Sequence, residues 1–211
     1  MSQVQNNDVL IELLETIADN KYVMGDHLAE IGVSGPTIEA TVSSIAMAQS
    51  ELGHARLLYH WVEELKTGSK KKIDIKDQTG KAFQSAIDTE DWISLIANLF
   101  ITNITSKAIL DAVANSEYST KAITKMVREQ EDNIIYARSW ANQLLADKGL
   151  IPEKFEDHYN RAKAEAYDWL LKYEHDDRIR EARIVTKNQS LTDIFDEEVR
   201  KISLEQDVVA N

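Results

Sequence analysis

Cysteine is missing from all 211 residues, which excludes disulfides and thiolate metal centres. Any metal would have to sit on carboxylate, imidazole, amide or water ligands. Glycine (7) and proline (2) are scarce, too scarce for the many turns of an all-β fold. A basic surface is also missing: 24 Lys and Arg stand against 36 Asp and Glu, a formal net charge of −12. A phosphate backbone needs a basic face, so nucleic acid is not an expected partner. The opening MSQVQNNDVL lacks the basic-then-apolar order of a signal segment. No apolar run approaches the ~20 residues of a membrane span, so no membrane partner is expected and the expected location is the cytoplasm. What is present, 43 % hydrophobic and 28 % charged residues, is the composition of a globular protein.

The apolar residues recur every three or four positions, the helical period. A first helix is predicted over residues 7–31, with Leu10, Leu13, Leu14, Ile17, Met24, Leu28 and Ile31 on one stripe and Lys21 within it. Gly32 and Ser34-Gly35-Pro36 end it, with Pro36 in the first turn of the next helix. That second helix runs over residues 36–65 on a stripe of Ile45, Ala48, Ala55, Leu58, Val62 and Leu65. Residues 66–87 hold Gly68, Gly80 and the cluster Lys70, Lys71, Lys72, and are expected to be a long crossover loop. The lysines fit a solvated loop surface; the alternative is a docking patch for an acidic partner or a phosphate. A third helix opens at Asp88-Thr89-Glu90-Asp91 and carries Trp92, Leu95, Ile96, Leu99, Asn103, Ser106, Leu110 and Val113. A fourth follows Ser119 as N-cap, with Ile123, Val127, Gln130, Ile134, Ala137, Ala141 and Leu144 in register. Pro152 opens a fifth, and two short amphipathic segments follow, one at residues 191–196 and one around Val199, Ile202 and Leu204. The expected fold is all-α. A ferritin-like four-helix bundle over residues 1–150 has its long crossover between the second and third helices. A helical extension over residues 151–211 packs on the bundle or on a partner subunit.

Each long helix breaks its apolar stripe once, near mid-length. The first does so at Lys21, the second at Glu51 and His54, the third at Asn103, and the fourth at Gln130 with Asn133 three residues later. Glu51 and His54 form a Glu-x-x-His pair, and residues three apart share a helix face. A di-iron carboxylate bundle needs a Glu from each of two helices and a Glu-x-x-His from each of the other two. Here only the second helix is complete. Gln130 and Asn133 stand where the other Glu and His would be, Asn103 is a neutral amide, and Lys21 is a cation where a ligand would be. If the four levels align, Lys21 can pair with Glu51 and supply the positive charge that a metal would have supplied. Asn103, Gln130, Asn133 and His54 can complete the hydrogen bonds. The expected cofactor is then none, and the six residues are a vestigial metal layer. The alternative is an occupied site, with iron on Glu51, His54 and Glu129.

Two stretches carry a resemblance. Ile17-Ala18-Asp19-Asn20-Lys21-Tyr22-Val23-Met24-Gly25-Asp26-His27-Leu28-Ala29-Glu30 and Ala48-Gln49-Ser50-Glu51-Leu52-Gly53-His54-Ala55-Arg56-Leu57-Leu58-Tyr59 resemble the phenylacetic acid catabolic protein family. Asp91-Trp92, Arg128-Glu129 and Ala137-Arg138-Ser139-Trp140 extend the likeness over residues 8–146. The resemblance implies a ferritin-like subunit of the multicomponent oxygenase that epoxidises phenylacetyl-coenzyme A. In that family a catalytic subunit carries two irons, and a structural subunit keeps the fold without a working metal site. The missing ligands place this chain closer to the structural subunit, as a homo-oligomer or as a hetero-oligomer with a catalytic ferritin-like subunit. Two other readings stay open: an active di-iron or mono-metal oxygenase using Glu51 and His54, and a stand-alone homo-oligomeric scaffold.

Overall fold

Thr37 decides where the second helix starts. Its backbone is extended, and its hydroxyl accepts the Ala40 N–H at 3.1 Å, the geometry of an N-cap. Pro36 therefore precedes the cap and does not sit in the first helical turn, as the sequence pattern had it. The computed structural model describes residues 2–70, 74–75, 77–186 and 189–209, with side chains described between residues 7 and 202. Helices make up the regular structure of these residues: α1 (Ser2–Glu30), a 3-10 turn (Gly32–Ser34), α2 (Ile38–Thr67), α3 (Gln84–Ile87), α4 (Trp92–Ala114), α5 (Lys121–Leu145), α6 (Ile151–Glu174), α7 (Asp177–Glu181) and α8 (Leu191–Val209). This order, two long helices, a crossover and two more long helices, is that of a ferritin-like bundle. The chain divides into two compact units, residues 1–95 and 96–211.

In the first unit α1 and α2 lie against each other, antiparallel. Lys21 meets Glu51, Asp19 meets Tyr59 and Glu15 meets Lys66, so partners descend one helix as they climb the other. Gly25 permits the close approach: a Cβ there would lie 2.7 Å from Leu52 Cγ. Leu10, Leu13, Leu14, Ile17, Met24 and Leu28 are buried on α1, as are Ala48, Ala55, Leu58 and Val62 on α2. Ile45, placed by the sequence on that buried stripe, is 44 % exposed, and Leu65 is half-buried. The stripe is instead continued by Ser44 and Met47, because each residue turns ~100° and Ile45 falls on the outer side. Gly68, with φ +68°, closes α2 in the left-handed conformation that glycine adopts most readily. In the crossover, Lys70 is exposed and lies 3.4 Å from Glu64. Lys71 and Lys72 fall outside the described residues.

Asp91 and Ser94 cap α4 reciprocally. Asp91 Oδ1 accepts the Ser94 N–H at 2.8 Å, and Ser94 Oγ accepts the Asp91 N–H at 3.0 Å. The expected stripe on α4 is in fact buried on every side: each residue from 94 to 106 is buried. By length and composition α4 is apolar enough to cross a membrane, which the sequence reading had overlooked, but 89 % of its most apolar window is buried inside the protein. In the second unit the N-cap of α5 is Thr120, whose hydroxyl accepts the Ile123 N–H at 3.2 Å; Ser119, the expected cap, lies one residue earlier. α6 starts with Pro152 in its first turn. Phe155 and Tyr159 of α6 stack with centroids 5.8 Å apart, and Phe100 of α4 lies 6.4 Å from Tyr159. The two short C-terminal helices of the sequence reading are one continuous helix, α8, after the short α7. Glu174 fixes the start of α8 by accepting the Thr192 N–H at 2.9 Å. The expected extension over residues 151–211 thus contains α6, which packs on α5, and α8, which packs on both.

Candidate functional site

α1 and α2 deliver Lys21 and Glu51 to one buried point. Lys21 Nζ stands 2.9 Å from Glu51 Oε2, with both side chains only 2 % exposed. His54 follows Glu51 by one turn on the same helix and is also buried. A carboxylate this deep is costly without a counter-charge, and an ammonium in contact provides one. Removing one member of such a buried pair typically costs ~3–5 kcal/mol.

One turn away lies a second polar cluster. Asp19, fully buried, accepts the Tyr59 hydroxyl at 2.6 Å, the Thr79 N–H at 2.8 Å, the Thr79 hydroxyl at 2.9 Å and the Lys81 N–H at 2.6 Å. The next residue, Asn20, accepts the Phe83 N–H at 3.0 Å and donates to the Thr16 carbonyl at 2.9 Å. Glu15, one turn earlier, pairs with both Lys66 and Lys81. These bonds pin the crossover to α1. Burial pushes the Glu15 carboxyl up, but the bonds from Lys66 and Lys81 outweigh it and leave the group below its ordinary value. Burial, and then the hydrogen bond to Asp19, push the Tyr59 phenol far above its ordinary value. A concavity of about 300 Å³ beside this cluster is lined by Glu15, Glu63, Lys66, Asp74, Asp77 and Thr79 among others. Tyr59, Val62 and Ile75 supply the apolar part of its walls.

The second unit holds the amides. Gln130 Nε2 donates to Asn103 Oδ1, and Asn103 Nδ2 donates to the Leu99 carbonyl at 2.8 Å. Both side chains are buried, as is Asn133 one turn beyond Gln130. Glu129 is half-buried and pairs with Lys125 at 3.1 Å. Of the residues that the sequence marked, the structure joins Lys21 to Glu51 and Asn103 to Gln130, one pair in each unit.

Iron is the group that a ferritin-like fold brings to mind, and these residues do not fit it. Nothing in the pair Asn103–Gln130 carries a negative charge, and the Glu51 carboxylate already faces an ammonium, which cannot bind a metal and repels one. Among the described residues no three His, Asp or Glu side chains stand together in positions that could hold a metal ion.

The crossover clamp escaped the sequence reading, although a signal was there. Asp19, Asn20 and Lys21 are three consecutive polar residues inside an apolar helix. At ~100° per residue they cannot share one face, so at least one must meet something other than the neighbouring long helix. That something is the crossover.

No curated protein matches this chain. A family model does, under the description "Phenylacetic acid catabolic protein", and it matches residues 1–208. The match runs past the bundle helices and takes in α6, α7 and nearly all of α8. With the match spanning almost the whole sequence, this chain belongs to the phenylacetic acid catabolic protein family.

Proposed function

We propose that this chain is a non-catalytic, structural subunit, and that it works beside a ferritin-like di-iron subunit in an oxygenase of the phenylacetyl-coenzyme A type. The observation that carries this reading is the buried contact between Lys21 and Glu51 at 2.9 Å. An ammonium on α1 does for Glu51 what a divalent ion would otherwise do. It neutralises the carboxylate and ties α1 to α2, so the helix pair is complete without metal. The amide pair Asn103–Gln130 supports the same reading, since two neutral groups satisfy each other and leave no anionic donor. The chain's part in the reaction is then to keep the fold and to hold its catalytic partner.

The opposing reading, an active oxygenase, draws on the intact Glu51 and His54, both buried and one turn apart. Anaerobic loading with ferrous iron, followed by removal of free metal and elemental analysis, separates the two. We expect well under one iron per chain. A content near the roughly two ions of a di-iron centre overturns the proposal.

A further inference from the structure

We propose that Tyr59 and Asp19 form a proton-coupled redox site, in which Tyr59 gives an electron to a one-electron oxidant and its hydroxyl proton to Asp19. The Tyr59 hydroxyl stands 2.6 Å from Asp19 Oδ1, with Tyr59 only 5 % exposed and Asp19 fully buried. In the step the Tyr59 O–H bond breaks and an O–H bond forms on Asp19 Oδ1. The oxidant, an oxygen-centred radical for example, is reduced by one electron, and a neutral phenoxyl radical remains.

Charge favours the step. Phenol and carboxylate together carry one negative charge before it and none after it, and burial disfavours the charged form. Geometry favours it too, because a proton moves only along a hydrogen bond. Asp19 cannot swing away from Tyr59, since the Thr79 N–H (2.8 Å), the Thr79 hydroxyl (2.9 Å) and the Lys81 N–H (2.6 Å) hold it in place. The last two end on Oδ2, so they survive when Oδ1 takes the proton. An electron has further to go and can tunnel between neighbouring rings. Tyr22 lies edge-on to Tyr59, with centroids 6.5 Å apart, and is itself half-buried, so its ring leads from Tyr59 towards the surface. The chain has no cysteine, so no thiol intercepts the oxidising equivalent. Tyr159 makes the contrast. Asp196 and burial push its phenol up to about 12, yet among the described residues no hydrogen bond joins it to a carboxylate. The use of such a site, to absorb stray oxidising equivalents beside an oxygen-consuming subunit, rests on the function proposed above. The site itself does not, and iron loading bears on the one without the other.

Photo-oxidation of the full chain by flashed ruthenium tris-bipyridine with persulfate, followed by freezing and electron paramagnetic resonance, reads the outcome. We expect a tyrosyl spectrum that outlives the radical of free tyrosine under the same flash. Ring-deuterated tyrosine should narrow it. Tyr59→Phe removes only the hydroxyl and should lose most of the signal, whereas Tyr159→Phe should keep it. In wild type, the signal should form more slowly in deuterium oxide, because proton and electron leave together; this reading needs no variant and no refolding. A wild-type chain without a persistent tyrosyl signal, equal formation rates in the two solvents, or a Tyr59→Phe signal as strong as wild type overturns the proposal and leaves Tyr59 as a structural hydrogen-bond donor.

Discussion

α1 and α4 both bury several polar residues, but they satisfy them in opposite ways. On α1, the groups at Glu15, Asp19, Asn20 and Lys21 reach partners 30 to 66 residues away in sequence. On α4, Thr102, Asn103, Thr105 and Ser106 donate to the carbonyls four residues back on their own helix, at 2.7 to 2.8 Å. Polar side chains that bond back to their own helix can be buried without any neighbour's help. Polar side chains that reach across the fold are satisfied only when that fold has assembled. The first arrangement satisfies most of these α4 groups within their own helix, Asn103 also accepting from Gln130 of α5; the second makes α1 the post to which α2 and the crossover are fastened.

The sharpest way to break this contrast is to remove charge from the long-range side. Lys21→Met should destabilise the protein by about 3–5 kcal/mol in urea unfolding, because it strands a buried carboxylate. Lys21→Met with Glu51→Gln should recover part of that loss; strictly additive losses in the cycle would show that the pair carries no coupling. On the neutral side, Gln130→Leu should cost only ~1–3 kcal/mol, the penalty for one unsatisfied amide. Replacing Asn103 and Gln130 together by leucine should then cost little more, and a loss as large as that of Lys21→Met would erase the distinction between the two pairs.

The smallest effect concerns pH. The Glu15 carboxyl is held below its ordinary value by Lys66 and Lys81. A depressed folded-state value means that the unfolded chain takes up its proton first as pH falls. The stabilisation is therefore fully present above the ordinary carboxylate range and disappears as pH drops through the lower, folded value. Melting temperature followed across that acidic window should fall less steeply in Glu15→Gln than in wild type. Parallel curves would mean that the two lysines do not bind this carboxylate in solution.

Much of the architecture could be read from periodicity. Stripes with a step of three or four gave the long helices, and the scarcity of glycine and proline gave the fold class. Lys21 and Glu51 were legible as a pair because each is a lone charge inside its own apolar stripe. Ile45 was misplaced because one residue's turn carries a side chain from the inner to the outer face, and helix phase read from an apolar run alone drifts by that much. The single long α8 was missed for a related reason. Its acidic middle broke the apolar pattern, while packing on α5 and α6 sustained the helix.

The sequence by itself determined that the chain is helical and that no thiolate could bind a metal, and it allowed Lys21 to face Glu51 if the helix levels aligned. Only the tertiary structure decided what Asp19, Asn20 and Glu15 are for, because their partners come from a crossover loop 60 to 66 residues away, and from α2, 40 to 51 residues away. The physical reason is the range of the forces involved. Helical periodicity is a local property that any short window reveals. The partner of a buried polar group is set by which distant segment the closed fold brings within 3 Å.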